Sequence, residues 1–193
     1  MILLCSEQQA VAFRAAGHIF ISHLVGKKTI KATIDPGKIG VIYQNQFVGR
    51  VWVEPWIYPD DLDIDDQRWN DVACQEVALH LAGLVVEDIR MGRTFDDIWD
   101  GIQEGYINQI GLASDWIDAW LTSYADPEYS ELHTRFWVHG IYKHTRELLW
   151  QYWPLIGKLA DALLERGTLA GYDIDSLLCR AGVIGEIAGY PAD

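Results

Sequence analysis

The stretch "SEQQAVAFRAAGHIFISHLVGKKT" runs from Ser6 to Thr29. Within it Val11, Phe13, Ala16, Ile19, Phe20, His23 and Leu24 fall near the 3.6-residue spacing of a helix. Ser6 followed by Gln9 has the form of a capping box and Gly26 is a natural stop, so the pattern predicts a helix from Ser6 to about Val25. Its centre, "AFRAAGH" from Ala12 to His18, sets Arg14 and His18 four residues apart on one face. Gly17 beside them is read as a packing residue that lets a second helix come close.

Working outward, "TIKATIDPGKIGVIYQNQFVGRVWVEP" from Thr29 alternates, is rich in β-branched residues, and carries turn signals at Asp35-Pro36-Gly37 and Gln44-Asn45-Gln46. It predicts two or three short antiparallel strands. "PWIYPDDLDIDDQ", from Pro55, reads as a polar loop punctuated by proline. Beyond Arg68 the patterns are helical. One long helix should end at Gly92, a second should start at the N-cap Thr94, and a short third should span Ser114 to Tyr124. Asp126 and Pro127 form a start signal for a fourth. "PLIGKLADALLERG" and "AGYDIDSLLCR" close the fold as two shorter helices. The expected class is mainly α (α+β): one domain over residues 1–181, with a small antiparallel β element near the N-terminus and a loosely held tail from Gly182.

The 193 residues carry 28 acidic and 15 basic side chains, a formal net charge of −13. A polyanion would be repelled by such a surface, so nucleic acid is not an expected partner. Cys5, Cys74 and Cys179 are far apart and odd in number, which predicts reduced thiols and a cytoplasmic protein, with neither disulfides nor a thiolate zinc site. "MILLCSEQQ" lacks the basic start of a signal peptide, and no stretch approaches the roughly 20 apolar residues of a membrane span.

Three stretches, in order, resemble the peptidase domain of the FtsH-type ATP-dependent zinc metallopeptidases. "AFRAAGH" is similar to that family's A-[YF]-H-E-A-G-H. "EVALHLAGLVVEDIRMGRTFDDI" is similar to its segment of small residues leading to an Asp-Leu or Asp-Ile pair. "LLWQYWPLIGKLADALLERGTLAGYDIDSLL" is similar to its closing helices. The resemblance spans roughly Glu7 to Leu178. It does not extend to the ATPase module, since no GxxxxGK[ST] loop is present.

In a His-Glu-x-x-His helix two imidazoles on one face bind zinc, and the Glu serves as general base toward the metal-bound water. The resemblance puts Arg14 where the first His would stand, Ala15 where the catalytic Glu would stand, and His18 at the second ligand. Asp97 best matches the family's distant Asp ligand, with Asp96 and Asp100 as competitors. Arginine is always protonated and cannot ligate a metal, and alanine accepts no proton. The site is therefore expected to be degenerate, with no catalytic residue, no bound cofactor and no metal, and with His18 and Asp97 as remnant ligand positions. An Arg14–Asp97 ion pair would then stand in for the zinc as the tie between helices.

Other candidates have plainer readings. His18 alone reads as a hydrogen-bonded helix histidine. Glu76 and His80 are spaced for an i,i+4 pair, and His133, His139 and His144 read as surface or interface residues. Asp60, Asp61, Asp63, Asp65 and Asp66 lack the glycine and terminal glutamate of a calcium loop. Most of the tryptophans are expected in the core, the excess marking an oligomer or partner surface. Three functions follow: an inactive FtsH-like homologue acting as a binding or regulatory module, whose partner is a peptide, itself or an FtsH-type protease; a zinc hydrolase with an altered site using His18, Asp97 and Glu76 or His80; or a structural homo-oligomer.

Overall fold

The computed structural model describes residues 2–35, 50–54, 67–95 and 127–183. These form α1 (Ile2–Leu24), β1 (Thr29–Thr33), β2 (Arg50–Val53), α2 (Gln67–Met91), α3 (Pro127–Gln151), α4 (Trp153–Arg166), β3 (Thr168–Ala170) and α5 (Gly171–Arg180). The protein is mainly helical with a small three-stranded antiparallel sheet. None of the described helices is long and apolar enough to cross a membrane.

The helix ends follow the glycines. Gly26, Gly92 and Gly167 have φ of 76°, 68° and 69°, a region where a side chain is strained. After α1, the Lys27 amide donates to the Ser22 carbonyl and the Gly26 amide to His23, the paired bonds of a Schellman motif. The Arg93 amide donates to Asp88 in the same way after α2. The start of α1 differs from expectation. The helix is already formed at Ile2, so Ser6 lies inside it rather than at its start. The residues before Ser6, Ile2 to Cys5, lack any Gly, Pro or Asx that would stop a helix from extending backward.

Helix α1 is the centre of the molecule. Val11, Ala12, Ala15, Ala16, Ile19, Phe20, Ile21 and Leu24 are all buried, because α2 packs on one side of it and α4 on another. A helix apolar nearly all round must be buried this way. α3 packs on the far side of α2.

The sheet order is β2-β1-β3. β1 pairs with β2 as expected of the N-terminal strands, with an irregularity between Thr29 and Lys31 that leaves Ile30 exposed. The third strand comes from the other end of the chain, where Thr168–Ala170 pairs along Lys31–Thr33. Gly171 follows because a Cβ there would lie 2.8 Å from the Thr29 carbonyl oxygen. The turns expected over 36–49, the acidic loop from Asp60 to Asp66, and the helices expected over 96–126 lie outside the described residues. So do Trp99, Trp116 and Trp120. Among the tryptophans whose side chains are described, Trp52 is half-buried, Trp137 and Trp153 pack half-buried against the core's edge, and Trp150 is 65% exposed.

Candidate functional site

α1 and α2 run antiparallel, and small residues set their separation. A Cβ on Gly17 would sit 2.5 Å from Val86 Cγ2 and 3.0 Å from the Ala82 carbonyl oxygen, and one on Gly83 would sit 2.6 Å from His18 Nε2. Gly17 is thus the packing residue its sequence position implied. The Ala82-Gly83 pair of α2 has the same role from the other side, because it makes the space that His18 occupies.

His18 Nδ1 donates to the Leu79 carbonyl at 2.8 Å. This bond fixes the ring across the helix–helix seam and leaves Nε2 as the unprotonated nitrogen. Burial holds the imidazole well below its ordinary value, at about 4; the Leu79 bond opposes this, while His80 and Arg14 push the same way. His18 is therefore neutral at pH 7.

One turn earlier on the same face, Arg14 Nη2 lies 2.5 Å from Glu87 Oε2. Its counter-charge among the described residues is Glu87, whereas Asp97, Asp96 and Asp100 lie outside them. Ala15 is 2% exposed, with its methyl among the core side chains of α1 and its neighbours. The two positions that the resemblance assigns to the first ligand and the general base are therefore an ion-paired guanidinium and a core methyl. Neither fits a zinc ion. Among the described residues no three His, Cys, Asp or Glu side chains converge as a metal site.

Glu87 belongs to a longer polar chain. Arg93 Nη2 reaches Glu87 at 3.5 Å and its Nε reaches Asp88 Oδ1 at 2.8 Å. Asp88 also accepts from the Tyr142 hydroxyl at 3.2 Å. Arg146 in turn donates to that hydroxyl at 3.1 Å and to the Arg93 carbonyl at 3.3 Å. The chain links α1, the end of α2 and α3. Asp88 is fully buried. Burial pushes its carboxyl up to about 6 despite Arg93 and Tyr142, and pushes the Tyr142 hydroxyl up to about 12 with Asp88 adding to the effect.

At the other end of the crossing, Gly26 turns the chain so that Lys27 returns onto α2 and pairs with Glu76. Both side chains are under 10% exposed. His80 Nε2 lies 3.6 Å from the second Glu76 oxygen, the i,i+4 contact that the spacing implied. Burial lowers the His80 pKa, with Glu76 opposing and Lys27 adding to it.

The remaining candidates are dispersed. His139 is exposed and stacks on Phe95 at 4.6 Å, and His133 and His144 are partly buried. Cys74 is buried and Cys179 exposed, both as free thiols, and burial pushes the Cys74 thiol up to about 11. Sequence reasoning missed Glu87 and Lys27, and with them the Asp88, Arg93, Tyr142 and Arg146 chain. The signal for Glu87 was available in the small residues. Once Gly17 is set against Ala82, one turn back along α1 and one turn on along α2 reach Arg14 and the Val86-Glu87 pair. No family model matches the chain, and no curated protein matches it.

Proposed function

We propose that the chain is a catalytically inactive relative of the FtsH-type peptidase domain, acting as a binding or regulatory module. The observation that carries this reading is the Arg14–Glu87 ion pair beside His18. The helix keeps the small residues that seat a neighbouring helix and one histidine of the zinc motif. It replaces the other ligand with a cation already committed to a carboxylate. A dication there would face a fixed positive charge at contact distance, a repulsion of about 1 kcal/mol per unit charge even at the dielectric of bulk water. The buried Ala15 removes the general base, a loss worth about 10²–10⁴ in rate. The partner on this reading is a protein or peptide, either a second copy or an active FtsH-type protease, met in the cytoplasm. The net charge of −13 favours such partners over nucleic acid.

The test is metal analysis of the full chain purified with zinc present, together with hydrolysis of an unfolded protein substrate. The expected result is far less than one zinc per chain and no cleavage above background. Stoichiometric zinc lost on replacing His18 would overturn the reading.

A further inference from the structure

Helix α3 exposes a stripe whose chemistry reads the same in both directions. Phe136 and Trp150 are each 65% exposed, and His139, Gly140, Lys143 and Glu147 between them are exposed as well. Phe136, Lys143 and Trp150 are seven residues apart. They form one line along the helix, drifting only about 20° per step over a length of about 21 Å. Inversion about Lys143 places Phe136 on Trp150 and His139 on Glu147. Aromatic meets aromatic and base meets acid.

That symmetry is what a two-fold interface requires, since each residue i must suit a residue j that suits it in return. We propose that this face of α3 pairs antiparallel with the same face of a second copy, with the two-fold axis at Lys143. A helix from an unrelated protein would have no reason to match the inverted order.

Two further observations point the same way. Gly140 lies inside a helix, where glycine is a poor residue, and among the described residues a Cβ there would meet nothing within 4 Å. A second backbone approaching α3 would use the notch it leaves. Charge gives the other. Two copies at −13 each repel. The stretch from Leu132 to Arg146 contains no Asp or Glu, while it holds Arg135, Lys143 and Arg146. Self-contact along this stretch therefore sets few acids directly against one another.

The Lys143–Lys143 contact at the axis is the one like-charged pair. It makes the dimer weak and gives the proposal a distinctive signature. The inference holds whether or not the chain descends from a zinc peptidase, and its test does not involve metal.

Sedimentation equilibrium of the full chain from micromolar to submillimolar concentration should show a monomer–dimer equilibrium. Lys143→Leu should tighten it by about tenfold or more, and Phe136→Ser with Trp150→Ser should abolish it while leaving the circular dichroism unchanged. In a Cys5→Ser/Cys179→Ser background, Lys143→Cys should cross-link one copy to another. A wild-type chain that stays monomeric overturns the proposal. So does a dimer that survives the double aromatic variant, loosens with Lys143→Leu, or fails to cross-link at position 143.

Discussion

The two ends of the α1–α2 crossing hold the same kind of contact, a cation on or after α1 against a glutamate of α2, in opposite surroundings. Arg14 and Glu87 keep 23% and 22% of their side-chain surface in water, while Lys27 and Glu76 keep 8% and 7%. Arg14 also shares its glutamate with Arg93, whereas Glu76 meets Lys27 and, at 3.6 Å, His80. An ion pair in water contributes little and can lose a member cheaply. A buried pair can be matched by apolar residues, but leaving one charge behind is expensive. The pair beside His18 is thus the more dispensable one, and the one at the far end anchors the crossing.

The largest effect that could break this comparison belongs to Lys27→Met. Removing one member of this buried pair should cost about 3–5 kcal/mol in chemical denaturation. The double change with Glu76→Leu should recover most of it.

The next effect is a pH dependence hidden by cancellation. His18 is held down from 6.5 to about 4. The unfolded chain therefore takes up a proton that the folded one refuses, and stability falls as pH drops from 6.5 toward 4. Asp88 is pushed up from 3.8 to about 6. The folded chain takes up a proton that the unfolded one refuses, so stability rises as pH falls from 6 toward 3.8. Between about 4 and 6 the two slopes oppose each other. Each is worth about 3 kcal/mol across its window, from 1.36 kcal/mol per tenfold change in proton affinity. Relative to the parent chain, His18→Asn should gain stability as pH is lowered through this range and Asp88→Asn should lose it, as read from denaturation midpoints. Parallel profiles for the two variants would show that the sites are not set as described.

The smallest effect is that of Arg14→Gln, below about 1 kcal/mol, because Arg93 remains beside Glu87. A cost as large as that of Lys27→Met would erase the distinction between the two ends.

The parts of this fold that were legible in the sequence are those marked by residues with a backbone reason. Gly26, Gly92 and Gly167 end helices where expected, and Pro127 and Pro154 stand at helix starts. The parts that were not legible depend on tertiary pairing. Thr168–Ala170 is too short to show a strand pattern and is a strand only because β1 presents an edge to it. The site divides the same way. The roles of Gly17 and of the Glu76–His80 pair follow from local spacing. The partner of Arg14 does not, since Glu87 meets it only through the antiparallel packing of two helices. Within "VVEDIR" nothing local separates the partly buried Glu87 from the fully buried Asp88, and α3 reaches the second through Tyr142.

The β1–β3 pairing sets a timetable. Lys31 finds its cross-strand partner in Ala170, so one edge of β1 remains open until the chain has been made through Ala170. Translation at about 5–20 residues per second leaves that edge waiting for about 7–28 s. A nascent chain stalled before Thr168 has both central helices but no third strand, and the backbone groups of β1 that β3 would satisfy remain available to another strand.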